Sequence, residues 1–423
     1  MSMLTDDQAM AYMHRLLTAM ARAGGSDLFI SAGSPPTMKA HGALAPLSQQ
    51  KLDPDVTRVM AFSIMNDSQR IEFDRELECN FAITVPEVSR FRVNVYQQQA
   101  QVAMVIRTIP NEIPNADRLG LPTVLKELIL SKRGLLLIVG ATGSGKSTTL
   151  AALIDHRNAT TSGHIITVED PIEYVHEPKK SLISHREVGV DTHSWGAALK
   201  NMLRQAPDVI LMGEIRDRET MEHAITFSET GHLCLATLHA NSANQAIDRI
   251  INFFPEERRP QLLMDLSANL RGIVSQRLIR TEDGKGRRAA IEIMINTPTI
   301  ADKIFKGLFH EIKPLMERGR EAGMRTFDWA LFDLYNRGLI SYDEALRNAD
   351  SSNELRLNIK LRSQRGAPTT GFGTERNLTF DQGVPAQTDL ERARREELER
   401  QEQRRREFEQ KQGESARLGK RAP

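Results

Sequence analysis

The residues Gly140-Ala141-Thr142-Gly143-Ser144-Gly145-Lys146-Ser147, with Thr148 next, fit the pattern G-x-x-x-x-G-K-[ST] in full. Glycines let the backbone fold so that successive N–H groups face phosphate oxygens. Lys146 has the reach for β- and γ-phosphates, and the Ser147 hydroxyl suits Mg²⁺. An apolar run, Leu135 to Val139, precedes the loop, and a helical pattern from Ser147 to about Arg157 follows it. Strand, glycine loop and helix in that order form a site for a nucleotide triphosphate, with the helix N-terminus aimed at the anion.

Binding a nucleotide is not hydrolysing it, which needs a held water and acidic groups near the metal. Two acidic clusters follow apolar runs: Thr167-Val-Glu169-Asp170-Pro171-Ile172-Glu173, and Asp208 to Met212 ending in Gly213-Glu214. In open α/β sheets ligands lie beyond the carboxyl ends of the strands, so Glu173 and Glu214 are candidates to hold water or Mg²⁺. His232 and His239 bracket one further apolar run. A neutral imidazole there could hydrogen-bond a γ-phosphate or orient a carboxylate, and a structural histidine fits the same positions. The chain has two cysteines, Cys79 and Cys234, so no multi-cysteine zinc site is expected.

These groups need a frame to hold them. From about residue 123 to 362 short apolar runs alternate with helical stretches, which predicts a parallel sheet covered by helices, with a helical end-piece from about residue 300. Residues 1–109 mix helical patterns (Leu4–Ala23, Val56–Phe73) with strands at Asp27–Ile30, Cys79–Val85, Arg90–Tyr96 and Gln101–Thr108, an α+β domain. Residues 110–122 carry three prolines and read as a linker or hinge. The tail, 363–423, lacks Ile, Met, Tyr and Trp and holds 13 Lys and Arg against 11 Asp and Glu, so it reads as disordered and charged. Pairs such as Glu391/Arg395 and Glu407/Lys411 at i,i+4 support a helix within 390–412.

Over 423 residues the formal charge is +1, with 40% hydrophobic and 26% charged residues. No net field calls for nucleic acid or an anionic membrane. No apolar stretch approaches the ~20 residues of a membrane span, and the acidic N-terminus (Asp6, Asp7) is unlike a secretory signal. Free cysteines and these exclusions predict a cytoplasmic protein.

The four segments together resemble the Walker A, Asp box, Walker B and His box of the secretion ATPase superfamily, which serves type IV pili, type II secretion and conjugation. The likeness runs from about Ser26 to Leu361 and is strongest to the PilT/PilU pilus retraction ATPases, through Ser26-Asp-Leu-Phe-Ile, Arg90-Phe-Arg-Val-Asn, Arg107-Thr-Ile-Pro and Thr237-Leu-His. PilT proteins typically carry a segment close to Ala-Ile-Arg-Asn-Leu-Ile-Arg-Glu, where this chain has Thr299-Ile-Ala-Asp-Lys-Ile-Phe-Lys306. Arg204-Gln-Ala-Pro-Asp208, Asn252-Phe-Phe-Pro-Glu-Glu-Arg258 and Arg347-Asn-Ala-Asp350 are similar to the PilU type. The resemblance implies an N-terminal PAS-like domain, a RecA-like ATPase domain and a ring of six identical subunits. Its implied partners are a PilT-type ATPase and a pilus platform protein at the cytoplasmic face of the inner membrane, with membrane contact only through them.

Roles follow from the same resemblance. Glu173 would be the general base or position the water, and Glu214 would support the Mg²⁺–water network. His232 and His239 would contact or sense the γ-phosphate. Arg90, Arg92 and Arg277 are candidates to reach the phosphates across a domain or subunit junction. A type II secretion or conjugation ATPase, and a nucleotide-binding regulatory subunit without essential turnover, are the competing functions.

Overall fold

The computed structural model describes residues 5–40, 43–109 and 112–365. The tail from residue 366, including the helix expected at 390–412, lies outside the described residues. In the first part, α1 (Asp6–Arg22) starts at a capping box in which Thr5 and Gln8 exchange side-chain and backbone hydrogen bonds. It is followed by β1 (Gly25–Ile30), β2 (Thr37–Ala40), β3 (Ala43–Pro46), α2 (Pro54–Ser63), α3 (Asp67–Glu76), β4 (Glu78–Val85), β5 (Ser89–Gln98) and β6 (Gln101–Ile109). The strands form one antiparallel sheet in the order β3-β2-β1-β6-β5-β4. Alternation in β5 places Phe91, Val93 and Val95 against Met13, Leu17 and Met60 in a common core.

One helix was expected over Val56–Phe73; there are two. Asn66 accepts from the Gln69 N–H and receives the Gln69 side chain in return, so a new helix starts where the apolar periodicity alone runs on. The short pair β2–β3 also escapes the sequence pattern, because four-residue strands carry too little alternation to register.

The second part begins with α4 (Thr123–Ile129), β7 (Gly134–Val139), α5 (Lys146–Thr160), β8 (Gly163–Glu169), β9 (Ser181–Glu187), α6 (Trp195–Met202), β10 (Val209–Met212), α7 (Arg218–Glu229) and β11 (Leu233–Leu238). It continues through α8 (Ala243–Asn252), α9 (Arg259–Asn269), β12 (Leu270–Arg280) and β13 (Arg287–Ile295). The helices α10 (Pro298–Phe305), α11 (Ile312–Arg318), α12 (Phe327–Asn336), α13 (Tyr342–Asn348) and α14 (Ser352–Arg362) complete it. The sheet order is β13-β12-β7-β11-β10-β8-β9. β7, β10 and β11 are buried at every position, as strands covered on both faces must be. One expectation needs correction: the sheet is mixed, since β13 returns antiparallel along β12. A hairpin satisfies that pairing locally, without a crossover helix.

What positions the site is register. Met212 of β10 pairs with Val168 of β8 and with Ala236 of β11, and Ala236 pairs with Leu137 of β7. Four parallel strands therefore end at one level, delivering residues 140, 169–170, 213–214 and 239 to a single edge.

Part of the stretch read as a linker belongs to the core of the second half. Ala116 and Leu121 are buried with Leu125, Leu150 and Leu153, in the layer covering β7. Leu121→Ala should cost about 2–4 kcal/mol of stability. A denaturant midpoint indistinguishable from that of the parent would show that this half of the stretch is not core.

Candidate functional site

The loop after β7 turns through Gly140, Gly143 and Gly145, all at positive φ. At Gly140 a Cβ would collide with Ser144 Oγ and stand 2.7 Å from the Gln276 carbonyl, so only glycine fits. Gln276 on β12 braces the loop from below: its Nε2 donates to the Ser144 carbonyl at 2.8 Å and its Oε1 accepts from Thr149 Oγ1 at 2.8 Å. Lys146 Nζ donates to the carbonyls of Gly140 (2.9 Å) and Ala141 (3.1 Å), folded back along the loop it would leave to meet a phosphate. Burial lowers the Lys146 pKa, and the Glu214 charge opposes that shift. Thr142, Gly143, Lys146 and Ser147 line a cavity of about 250 Å³, while Thr148 shares a 3.0 Å hydrogen bond with Tyr174.

Across that cavity stand Glu214 and His239. His239 Nε2 lies 3.2 Å from Glu214 Oε1, and Arg216 Nε donates to the other carboxylate oxygen at 2.8 Å. Arg216 is also 3.7 Å from Asp170, so it bridges the loop after β10 to the loop after β8. Thr237 Oγ1 donates to the Gly213 carbonyl, locking the ends of β10 and β11 together.

The third wall is the loop from Asp170 to His176, whose main-chain N–H groups are held by side chains from β8 and β9. Ile172 N–H donates to Glu187 Oε2 (3.3 Å), Glu173 N–H to Glu169 Oε2 (3.3 Å), and His176 N–H to His185 Nε2 (3.0 Å). Because His185 Nε2 accepts, its proton sits on Nδ1, which faces Thr167 Oγ1 at 2.9 Å. Burial and the nearby Arg90 charge hold His185 below the usual imidazole range, and burial takes the stacked His176 down to about 4. Glu169 is pushed up to about 7 by burial, aided by the like charges of Glu173 and Glu187 and opposed by the hydrogen bonds it accepts. Glu173 itself is exposed at the cavity wall.

The structure thus gathers the glycine loop, Glu173, Glu214 and His239 around one cavity, and leaves four of the expected residues outside it. His232 precedes β11 at the end opposite the loop, with Gly134 N–H bonded to its carbonyl. Six strand positions separate that level from Gly140, about 20 Å at ~3.3 Å per residue. Its Nδ1 meets Thr230 Oγ1 and the Phe227 carbonyl instead, so within one chain it cannot touch the γ-phosphate. Arg277 is occupied by Asp350 (2.9 Å) and the carbonyls of Asn348 and Asn241, with its guanidinium 3.9 Å above the Phe327 ring. Arg90 is paired with Glu187 at 2.6 Å. Arg92, on the same strand, points into solvent.

A Mg²⁺ ion would meet hard oxygen donors here, the Ser147 hydroxyl and the Glu214 carboxylate, which suits it. Among the described residues there is no cluster of three or more His, Cys, Asp or Glu that could hold a metal ion.

Residues 5–319 match the family described as "Type II/IV secretion system protein". The chain belongs to this family. It is 56% identical over 353 residues to "Type IV pilus ATPase PilU" of Pseudomonas aeruginosa, covering 84% of this chain and 92% of that one. To "Type IV pilus retractation ATPase PilT" of the same organism it is 43% identical over 334 residues, 79% of this chain and 97% of that one. Among solved structures, the pilus retraction motor PilT with bound ADP superposes with a TM-score of 0.76 at 40% identity, covering 81% of this chain and 98% of the other. The Legionella pneumophila ATPase DotB gives 0.71 at 25% identity, with 82% and 96% covered. The α/β architecture with two sheets is that of these secretion-family ATPases.

Sequence reasoning did not single out Arg216, Glu169, His185 or Glu187 in this family member. Arg216 stood two residues from a chosen carboxylate, a spacing that alone says nothing of contact. His185 and Glu187 lie on β9, whose polar composition hid it as a strand.

Glu169 carries a testable sign. Its folded pKa, about 7, exceeds the ordinary glutamate value of 4.5. Between those values the unfolded chain binds fewer protons than the folded one, so this group costs stability as pH rises through the window. Glu169→Gln should therefore gain on the parent by on the order of 2 kcal/mol from pH about 5 to about 7.5, then run parallel to it. Denaturant unfolding across that range measures the difference; a pH-independent offset would contradict the assignment.

Proposed function

We propose that this chain is an ATP-hydrolysing motor that powers or assists type IV pilus retraction, and hence twitching motility, as an accessory to a PilT-type ATPase. The observation that carries the enzymatic part is the meeting of the glycine loop with Glu173 and the Glu214–His239 pair around one cavity at the strand ends. The pilus assignment is supported by family membership and by the identity to PilU over most of both chains. The Thr299–Lys306 segment, which forms most of α10 and lacks the PilT pattern, favours the accessory role. In this reading the first sheet belongs to a PAS-like domain over residues 1–109. Residues 110–122 are the linker, and 123–362 form a RecA-like domain with its helical end-piece.

The reaction is ATP plus water to ADP plus phosphate. Residues 140–148 bind the phosphates through backbone N–H groups, and Lys146 swings from the Gly140 and Ala141 carbonyls to the β- and γ-oxygens. Mg²⁺, when bound by Ser147 and through water by Glu214, supplies charge neutralisation at those oxygens. Glu173 orients the attacking water and takes its proton. His239 bears on the γ-phosphate while tied to Glu214, so the two act as one unit. Arg216, free to exchange Glu214 for phosphate, is a further cation in the cavity. Arg92, exposed on β5, remains a candidate to reach phosphates across a domain or subunit junction, in a ring of six working against a platform protein at the cytoplasmic face of the inner membrane. No helix among the described residues is long and apolar enough to cross a membrane.

Phosphate release by parent, Glu214→Gln and Lys146→Ala separates the readings. Glu214→Gln should keep ATP affinity within a few-fold and lose at least ~100-fold in kcat, whereas Lys146→Ala should lose binding. A parent that binds ATP without turnover would favour a regulatory subunit. In cells, deletion should impair retraction while a PilT-type ATPase is present. Full retraction driven by this protein without one would refute the accessory role.

A further inference from the structure

The Asp170–His176 loop is gripped from an unexpected direction. Glu187, at the end of β9, is almost fully buried, and its Oε2 atom accepts two hydrogen bonds. One comes from Ile172 N–H in the loop at 3.3 Å, the other from Arg90 Nη2 at 2.6 Å. Arg90 belongs to the other sheet, on β5, where it pairs with Ile109, the last strand residue before the chain crosses to the second sheet. Ser89 next to it donates to the Ile109 carbonyl at 2.7 Å. One carboxylate oxygen thus joins the first sheet to the residue preceding Glu173.

We propose that Arg90 and Glu187 are positioning residues that make the placement of Glu173 depend on how the first sheet is seated against the second. The electrostatics give the contact two states. With Arg90 in place, Glu187 is a paired charge and keeps its hold on Ile172. With Arg90 withdrawn, a buried carboxylate is left without its counter-ion close to Glu169, an arrangement strongly disfavoured unless the carboxylate turns to water. That turn breaks the bond to Ile172 N–H. The pairing is also incomplete: it uses one N–H of the guanidinium, and the buried Arg90 Nε has no acceptor among the described residues. A single-point contact lacks the geometric lock of a bidentate pair and so can be released.

This deepens the ATPase reading and rests on it for the role of Glu173, but the coupling can be read without turnover. Hydrogen exchange of the 170–176 segment, followed by mass spectrometry on the full chain, is the first measurement. Arg90→Met and Glu187→Gln should each speed exchange there by at least ~10-fold while leaving the 134–139 strand protected. The second measurement is ATP hydrolysis. Each variant should lower kcat by ~10- to 100-fold with KM for ATP within a few-fold. The double variant should be no worse than the poorer single one, and Arg90→Lys, which keeps the charge, should recover most of the rate. Unchanged exchange in the 170–176 segment would overturn the proposal, as would additive losses in the double variant or a rise in KM matching the fall in kcat. A parent that shows the exchange coupling but never releases phosphate would sink the ATPase reading and leave the coupling standing.

Discussion

Four parallel strands ending at the same level set the terms for everything else in the second half of the chain. Each strand end would by itself be an ordinary turn. Because Leu137, Val168, Met212 and Ala236 lie in one row of the sheet, the turns that follow face one another and their side chains share a single volume of space. A shift of one residue in any pairing would send that strand's outgoing turn to a different height and reverse its faces. The unbroken burial of β7, β10 and β11 resists such a shift, since every position is committed to a packed layer. The precision of the site is therefore inherited from hydrophobic packing that takes no part in the chemistry.

In the proposed reading, the charges around the cavity are placed to meet a phosphate. Lys146 and Arg216 each rest on partners they would surrender to a phosphate, backbone carbonyls in one case and Glu214 in the other. Hydrogen bonds to such partners are strong enough to order the cations and weak enough to exchange for an anion with several oxygens. Behind them Glu169, its pKa raised to about 7 by burial, is only partly charged near neutrality and accepts a hydrogen bond from the Glu173 N–H.

The sequence showed the glycine loop, both acidic strand ends and His239, because each lies within a few residues of an apolar run and the period of that run says where it stops. The sheet content of the first half was legible in β5, where alternation is long, and in β6 as an apolar run. What stayed hidden depends on tertiary pairing. The split between α2 and α3 turns on one capping exchange at Asn66. β9 is a strand because β8 pairs with it, not because its residues are apolar. His232 and His239 look equivalent in the sequence, and only the direction of β11 separates the one at the site from the one at the far end. Arg90 and Arg277 are likewise absorbed by partners 97 and 73 residues away in the chain, Glu187 and Asp350, which no local pattern reveals.

Gln276 and Arg277 are neighbours on β12 and face opposite sides of the sheet, as successive strand residues do. The first braces the glycine loop; the second fastens the Asn241 carbonyl, two residues after His239, to Asp350 just before the last helix, α14. A single strand thus serves two faces with consecutive letters. Substitution could alter one grip and spare the other, but insertion or deletion of one residue upstream in β12 would exchange their faces and break both together. In the history of such a chain, β12 would accept changes of letter far more readily than changes of length.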